Sequence, residues 1–289
     1  VYTQVGQALS RETHVPSSLS AIDNNMQLTF SKYQGTGNDF ILIDNMDKSI
    51  SLSREQIAFM CHRRFGIGAD GLMLLEPEEG YDFRMVYYNA DGNESTMCGN
   101  GGRCITAFAR VKGVISKEAR FLAFDGPHKA WIHEDDSVSL EMMNVTEIQR
   151  NADHLVINTG SPHYVTWVKD TDALDVFGTG RDIRNRMEYG KDGINVNFVQ
   201  NLANGIRVRT YERGVEDETM SCGTGVTAAA IAWSGGQTGK FIVPITTPGG
   251  MLEVSFKKDS ESTARDVILK GPATFVYEGN IALPGVINI

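Results

Sequence analysis

The sequence is poor in cysteine, and its four cysteines are not spaced as disulfide or zinc sites are. They stand at positions 61, 98, 104 and 222 of 289 residues, and no two of them form a Cys-x-x-Cys pair. Disulfide-bonded secreted domains carry more cysteines in shorter chains, and structural zinc sites use closely spaced cysteine or histidine pairs. We therefore expect free thiols, no metal site and a reducing, cytoplasmic setting.

Long apolar runs and an excess of positive charge are also lacking. No stretch approaches the roughly 20 apolar residues that a membrane-spanning helix needs, so we expect no membrane partner. The formal net charge is −9, which argues against a nucleic-acid partner because phosphate-binding surfaces are basic. What is present is a globular composition, 41% hydrophobic and 22% charged, in a chain long enough for two domains.

The first 25 residues differ in character from the rest. They are polar and serine-rich, and the first strand-like run begins at Met26. We interpret residues 1–25 as a disordered leader or a cloning remnant. A transit peptide fits poorly because Glu12 and Asp23 are acidic and Arg11 is the only arginine there, and a secretory signal is excluded by the lack of an apolar stretch.

One stretch of the chain occurs twice. Residues 88–104 run from a tyrosine through turn-forming residues to Cys98 and then into a helical pattern, and residues 211–225 repeat this layout around Cys222. In both copies a glutamate stands four places before the cysteine, and Cys-Gly-x-Gly follows. The repeat predicts two similar halves, each with a thiol at the start of a helix. Because helix starts favour negative charge, we expect both thiols to ionise more readily than a free thiol.

Two thiols that face each other across a cleft suit the inversion of a carbon centre. One thiolate removes a proton from one face of the carbon, and the other thiol returns a proton to the opposite face. The backbone N–H groups at the two helix starts, those of Gly99, Asn100, Gly223 and Thr224, can hold a carboxylate and stabilise the developing charge. A single Cys-Gly at a helix start would more often be structural, but its duplication favours function.

The order of predicted elements is repeated in the same way. Each half begins with strands joined by glycine turns, brings a strand to its cysteine unit, and continues after the helix as further strands. The polar residues 146–153 are interpreted as the link between the halves. Cys61 and Cys104 fall within predicted helices at apolar positions, so we expect both to be core residues.

Several of these motifs together resemble the diaminopimelate epimerase family. The matching segments are residues 35–40, 89–92, 98–104, 212–214 and 218–225, and the resemblance extends over about residues 26–289. It implies an α+β fold of two pseudosymmetric domains, each a curved, mostly antiparallel sheet wrapped around a central helix. In that family the last strand returns to the first domain, so we expect domains at 26–146 with 277–289, and at 147–276.

The resemblance also implies a chemistry and a set of site residues. It implies an epimerase without a cofactor that interconverts LL- and meso-2,6-diaminopimelate, in lysine and peptidoglycan precursor biosynthesis, by proton transfer between two cysteines. Cys98 and Cys222 match the catalytic pair, and His163 and Glu212 match residues thought to tune the pKa of the thiols. The positions that match substrate-binding residues are Asn38, Asn89, Gly99, Asn100, Asn195, Glu212, Arg213, Gly223 and Thr224.

The chain departs from the family's pattern at three places. Ser161 stands where asparagine is usual and remains a candidate substrate-binding residue, Gly71 stands where some members have glutamine, and the loop at 215–217 is one residue longer. Taken alone, Asn38 is as readily a plain turn residue, and His163 and Glu212 are more often structural.

Two other functions stay open from the sequence. One is a proline- or hydroxyproline-type racemase of the same fold, and the other is a thiol redox protein that joins Cys98 to Cys222. The expected partner is a small amino-acid substrate, and a homodimer is compatible with the sequence.

Overall fold

The structure is a computed structural model, and it describes residues 26–283. The expectations for residues 1–25 and for the segment after 283 lie outside the described residues. The helices are α1 (Arg54–Cys61), α2 (Gly99–Val111), α3 (Val176–Arg184) and α4 (Gly223–Trp233), with a 3-10 turn at Met187–Tyr189. The strands are β1 (Met26–Gly35), β2 (Asn38–Asp44), β3 (Gly71–Glu76), β4 (Phe83–Asn89), β5 (Glu118–Ala123), β6 (Gly126–Ile132), β7 (Val138–Glu141), β8 (Ile148–Arg150), β9 (Leu155–Asn158), β10 (Pro162–Trp167), β11 (Asn195–Leu202), β12 (Gly205–Glu212), β13 (Asp217–Thr219), β14 (Gly239–Thr247), β15 (Gly250–Lys258), β16 (Arg265–Gly271) and β17 (Thr274–Leu283).

Strand pairing divides the molecule into two halves with the same pattern. In the first half the spatial order is β17-β1-β2-β3-β4-β5-β6-β7, and β2–β3 and β4–β5 are its parallel pairs. In the second half the order is β8-β9-β10-β11-β12-β14-β15-β16, and β10–β11 and β12–β14 are parallel at the equivalent places. The remaining pairs are antiparallel, and β7 pairs with β16 to join the halves. The predicted α+β fold with two pseudosymmetric halves is therefore confirmed.

Each half wraps around one central helix, and small residues make this possible. In α2 every residue from Gly99 to Ala109 is buried, and in α4 residues 225–232 are buried on all sides. A helix that is buried on all sides lies inside a core rather than on a surface. The many Gly and Ala residues of these two helices let the surrounding strands approach closely. Over residues 26–283, no helix has both the length and the apolar character needed to cross a bilayer.

Helix α3 and strand β8 are among the elements that were not predicted from the sequence. Helix α3 contains Gly178 and Gly180, which disfavour a helix. It forms because the side chain of Asp175 accepts from the N–H of Gly178 at 2.9 Å and because Val176 and Ile183 are buried. Strand β8 lies inside the predicted link, where it pairs with β9.

Cys61 and Cys104 are buried core residues, as predicted. Burial raises the pKa of each thiol to about 12, because a thiolate loses its hydration in an apolar interior. Neither thiol is therefore a nucleophile at neutral pH.

These raised pKa values predict that the protein loses stability in alkali. An unfolded thiol ionises near pH 8.5, and above that pH the unfolded state releases protons that the folded state retains. The free energy of unfolding should therefore fall as pH rises from about 8.5 towards 12, by up to about 1.4 kcal/mol per pH unit for each thiol. Urea unfolding in reductant at several pH values measures this slope. The Cys104→Ala variant should show a shallower slope, and an equal slope in both proteins would contradict the assignment.

Candidate active site

The candidate active site is a cleft of about 1690 Å³ between the two halves. Of the residues predicted for the site, all but one line this cleft, and His163 lies buried beneath its wall. The lining residues from the prediction are Asn38, Asn89, Cys98, Gly99, Asn100, Ser161, Asn195, Glu212, Arg213, Cys222, Gly223 and Thr224.

The two cysteines begin helices that meet end to end. Cys98 is the N-cap of α2 and Cys222 is the N-cap of α4, as the repeated unit predicts. A Cβ atom placed on Gly99 would lie 3.4 Å from the Cα atom of Gly223, so the two helix starts are in contact. A Cβ atom on Gly223 would in turn lie 3.2 Å from the Cα atom of Gly99, so side chains at both positions would crowd this contact. The positive ends of both helices therefore converge on one space.

The expectation that these thiols ionise readily is wrong for the molecule in this structure. Burial raises the pKa of Cys98 above its ordinary value, and the backbone N–H groups of Gly101 and Asn100 offset only part of this effect. Burial raises the pKa of Cys222 strongly, and the nearby Glu212 carboxylate adds to the rise. Burial therefore raises the pKa of these thiols by more than the helix N-termini lower it. The sequence pattern does not reveal this burial.

Glu212, at the end of β12, is a carboxylate that lines the cleft near Cys222. It is largely buried, and burial raises its pKa, while hydrogen bonds from Thr219 and Cys222 oppose that rise. The Thr219 hydroxyl donates to Oε2 of Glu212 at 3.0 Å. A buried carboxylate with a raised pKa beside a thiol is a suitable proton acceptor for that thiol.

Asn38 is fixed by an acidic group that sequence reasoning missed. Its Nδ2 donates to Asp70 at 2.5 Å, which leaves Oδ1 as an acceptor for the Cys98 thiol at 3.5 Å. Asp70 in turn is held by Arg63 at 2.6 Å, and Arg63 also pairs with Asp39 at 2.7 Å. Because Asp70 is remote from Asn38 in sequence, only the parallel pairing of β2 and β3 brings them together.

Arg213, Asn195 and Ser161 form a polar group on the second half. Asn195 donates from Nδ2 to the Ser161 hydroxyl at 2.8 Å and accepts from the Arg213 backbone N–H at 2.9 Å. Nη2 of Arg213 donates to the Ser161 hydroxyl at 3.3 Å. Arg213 forms no ion pair with any acidic residue between 26 and 283, so its charge is available to an anion in the cleft. The Ser161 hydroxyl therefore accepts hydrogen bonds from the side chains of both Asn195 and Arg213.

The other two departures from the family's pattern have structural reasons. A Cβ atom on Gly71 would lie 2.5 Å from the Tyr87 ring and from the carbonyl oxygen of Tyr88, so no side chain fits there. In the longer loop, Glu216 has a positive φ of 60° and pairs with Arg184 of α3 at 2.8 Å. Glu216 therefore ties this loop to α3 at the edge of the cleft.

Arg103 is a fully buried cation that sequence reasoning also missed. It donates to four neutral acceptors near the start of α2: the carbonyl oxygens of Gly99 at 3.3 Å and Pro272 at 3.2 Å, Oδ1 of Asn100 at 2.9 Å and the hydroxyl of Thr36 at 3.3 Å. It has no carboxylate partner among the described residues. This guanidinium therefore holds together the N-terminus of α2, the β1–β2 turn and the loop before β17.

Replacement of Arg103 by methionine should cost stability because buried acceptors lose their donor. We expect the Arg103→Met variant to lose about 3 kcal/mol or more of unfolding free energy, measured by urea denaturation. Arg110→Met is the matched control on the same helix, since Arg110 pairs with the exposed Asp136 at the surface. That variant should lose less than about 1 kcal/mol. Equal losses in the two variants would refute the role given to Arg103.

Known proteins resemble this chain in sequence and in fold. The family model described as diaminopimelate epimerase matches residues 30–148 and 155–276. The diaminopimelate epimerase of Flavobacterium psychrophilum is 51% identical over 86% of this chain and 98% of its own length. Among solved structures, a phenazine biosynthesis protein of the PhzF family from Bacillus anthracis has a TM-score of 0.72 at 13% identity, covering 89% of this chain and 100% of that chain.

A hydroxyproline epimerase from Agrobacterium vitis has a TM-score of 0.63 at 14% identity, covering 89% of this chain and 93% of its own. At such identities, the two solved structures show the fold alone. The family match, by contrast, extends over both halves and both cysteine units, and the Flavobacterium relative covers most of the chain at much higher identity. The chain therefore belongs to the diaminopimelate epimerase family.

Proposed function

We propose that the protein interconverts LL- and meso-2,6-diaminopimelate by proton transfer between Cys98 and Cys222, as a step in lysine and peptidoglycan precursor biosynthesis. The observation that carries the proposal is the meeting of the two cysteine-capped helices in one cleft, with Gly99 in contact with Gly223. A carboxylate held at this meeting point by the N–H groups of both helices would place its α-carbon between the two thiols.

In the proposed reaction, one thiolate takes the α-proton while the other thiol gives a proton to the opposite face. A C–H bond breaks and an S–H bond forms on one side, and the reverse occurs on the other side. The charge that develops on the substrate carboxylate is stabilised by the two helix starts. The two sulfurs exchange protonation states in each turnover, so the same arrangement serves both directions.

The raised pKa values of the thiols fit this reaction. A proton next to a carboxylate is very weakly acidic, and a thiolate with a raised pKa is a stronger base than an ordinary thiolate. Glu212 is the acceptor for the Cys222 proton in this proposal, because its carboxylate lies close enough to that thiol to raise the thiol's pKa. Burial disfavours the thiolate in the resting protein. Once a thiolate has formed, the same burial makes it a stronger base.

The distal end of the substrate fits the polar group on the second half. The Arg213 guanidinium donates to the Ser161 hydroxyl and forms no ion pair within residues 26–283. Asn195 and Ser161 add hydrogen-bonding groups beside it. A planar guanidinium binds a carboxylate through two parallel hydrogen bonds. A substrate with a second amino-acid end uses these groups, whereas proline or hydroxyproline, the alternative substrates, would leave them unpaired.

Turnover in deuterium oxide tests the proposal. The purified protein, with reductant and a metal chelator present, should convert LL-diaminopimelate to the meso form and place one deuterium on the inverted carbon. Proline and hydroxyproline should give no turnover under the same conditions. No conversion of diaminopimelate, or conversion without deuterium, would overturn the proposal. Activity in full reductant also separates an epimerase from a thiol redox protein, which would need a disulfide.

A further inference from the structure

Asn197, on β11, lies behind the active site and no sequence argument singled it out. It is fully buried, and all its polar atoms have partners. Nδ2 donates to the carbonyl oxygen of Tyr164 at 3.0 Å and contacts Nδ1 of His163 at 3.1 Å. Oδ1 accepts from the Thr210 hydroxyl at 3.0 Å. Its surroundings therefore determine which way the amide points.

The position of each proton follows from these contacts. A backbone carbonyl can only accept, so the atom of Asn197 that faces Tyr164 must be the NH₂ group. The second hydrogen of that group points at Nδ1 of His163, which must therefore accept and carry no proton. A neutral imidazole with a bare Nδ1 carries its proton on Nε2. His163 is thus fixed as the Nε2–H tautomer.

The Nε2–H group has no acceptor among residues 26–283, although it is buried. The hydroxyl of Ser221, the residue before Cys222, is likewise buried without a partner. Buried donors are almost always paired in folded proteins, and the exceptions are common at functional sites. A Cβ atom on Gly225 would lie 2.4 Å from Oδ1 of Asn197 and 3.4 Å from Sγ of Cys222, so this group of side chains adjoins the first turn of α4.

We propose that Asn197 is a positioning residue that holds His163 in its neutral Nε2–H tautomer, so that His163 supplies a fixed hydrogen-bond donor beneath the wall of the cleft and transfers no proton in the reaction. The role of His163 in the reaction rests on the function proposed above, whereas the assignment of its tautomer does not.

The charged and titratable neighbours are consistent with a neutral imidazole. Burial, with a smaller contribution from the Arg213 guanidinium, lowers the pKa of His163 to about 3. Glu212 on β12 and Cys222 at the start of α4 are the acidic groups of this region, and burial raises the pKa of both. The charge that acts on the pKa of His163 is that of the Arg213 guanidinium, which opposes protonation of the imidazole.

Nitrogen NMR of protein labelled with ¹⁵N-histidine tests the tautomer directly. The chain has six histidines, and the His163→Gln variant assigns the signal. We expect protonated Nε2, bare Nδ1 and no titration of His163 between about pH 5 and 9. The Nδ1–H tautomer, or a titration in this range, would overturn the proposal whether or not the protein turns over diaminopimelate.

The Asn197→Asp variant tests the positioning role. It replaces the donor by a carboxylate that accepts from Nδ1–H, so the pKa of His163 should rise by about one to three units and the acid limb of the kcat profile should move to higher pH. Asn201→Asp is the matched control, because Asn201 is an exposed residue of the same strand, and it should change neither measurement.

An Asn197→Asp variant with an unchanged histidine spectrum and pH profile would overturn the positioning role. Should this variant fail to fold, Asn197→Ala serves instead, and it should give a mixture of His163 tautomers where the wild-type protein gives one. A single Nε2–H tautomer in Asn197→Ala would likewise count against the role of Asn197. Absence of turnover on diaminopimelate in the wild-type protein would contradict the proposed function, and the spectrum would still decide the tautomer.

Discussion

Replacement of either Cys98 or Cys222 by alanine should reduce epimerisation by at least about 10²- to 10⁴-fold, the range that a positioned acid or base contributes. Both variants should lose epimerase activity, because each direction of the reaction needs one base and one acid on opposite faces of the α-carbon. Both side chains are small, and neither makes a side-chain capping hydrogen bond to the helix that it begins. The fold should therefore survive either substitution. Conversion of LL-diaminopimelate, followed by separation of the stereoisomers, measures the loss.

Cys104→Ala is the matched control for this experiment. Cys104 lies on the same helix as Cys98 and is equally free of a disulfide, but it is buried in the core. This variant should keep its kcat while losing some stability. Near-normal activity in Cys98→Ala or Cys222→Ala would contradict the two-base reaction.

Replacement of Arg213 by methionine should have the next largest effect. If its guanidinium binds the distal carboxylate of the substrate, its loss leaves that carboxylate without a charged partner in a partly buried site. Truncation of one member of such a pair costs about 2–5 kcal/mol, which corresponds to a fall of about 30- to 5,000-fold in kcat/KM. Steady-state kinetics on LL-diaminopimelate measures this change, and we expect most of it in KM.

Arg120→Met is the control for the loss of a positive charge in the cleft. Arg120 also lines the cleft, but its guanidinium lies over the Tyr81 ring at 5.1 Å. We expect less than about a fivefold change, since a surface charge contributes about 0–1 kcal/mol. Equal effects of the two substitutions would mean that Arg213 acts only through the overall field of the cleft. The Arg213→Lys variant should retain more activity than Arg213→Met, because lysine keeps the charge but not the fork of donors.

The cysteine unit was predictable because its signals are local. Turn formers, a cysteine, glycines and then helical periodicity all lie within one short segment, and each acts on its immediate neighbours. The duplication then implied the symmetry of the fold, and the structure shows the same strand pairing in both halves. The convergence of the two helix starts follows from that symmetry.

The remainder depends on contacts between residues that are remote in sequence. Asp70 reaches Asn38 only through the pairing of β2 with β3, and Asn197 reaches His163 only through the pairing of β11 with β10. Neither pair has a signature within one segment. The predicted direction of the thiol pKa shift was wrong for the same reason. The burial of Cys98 and Cys222 depends on how each whole half packs.

The pairing of β17 with β1 has a consequence for how the chain folds as it is synthesised. Residues at opposite ends of the described chain, such as Met26 and Leu283, are partners in one ladder. While the ribosome is still making the second half, β1 has one unpaired edge, and such edges invite association with other chains. Contacts of such long sequence separation form slowly. We therefore expect the first half to reach its final form only after the last strand has emerged.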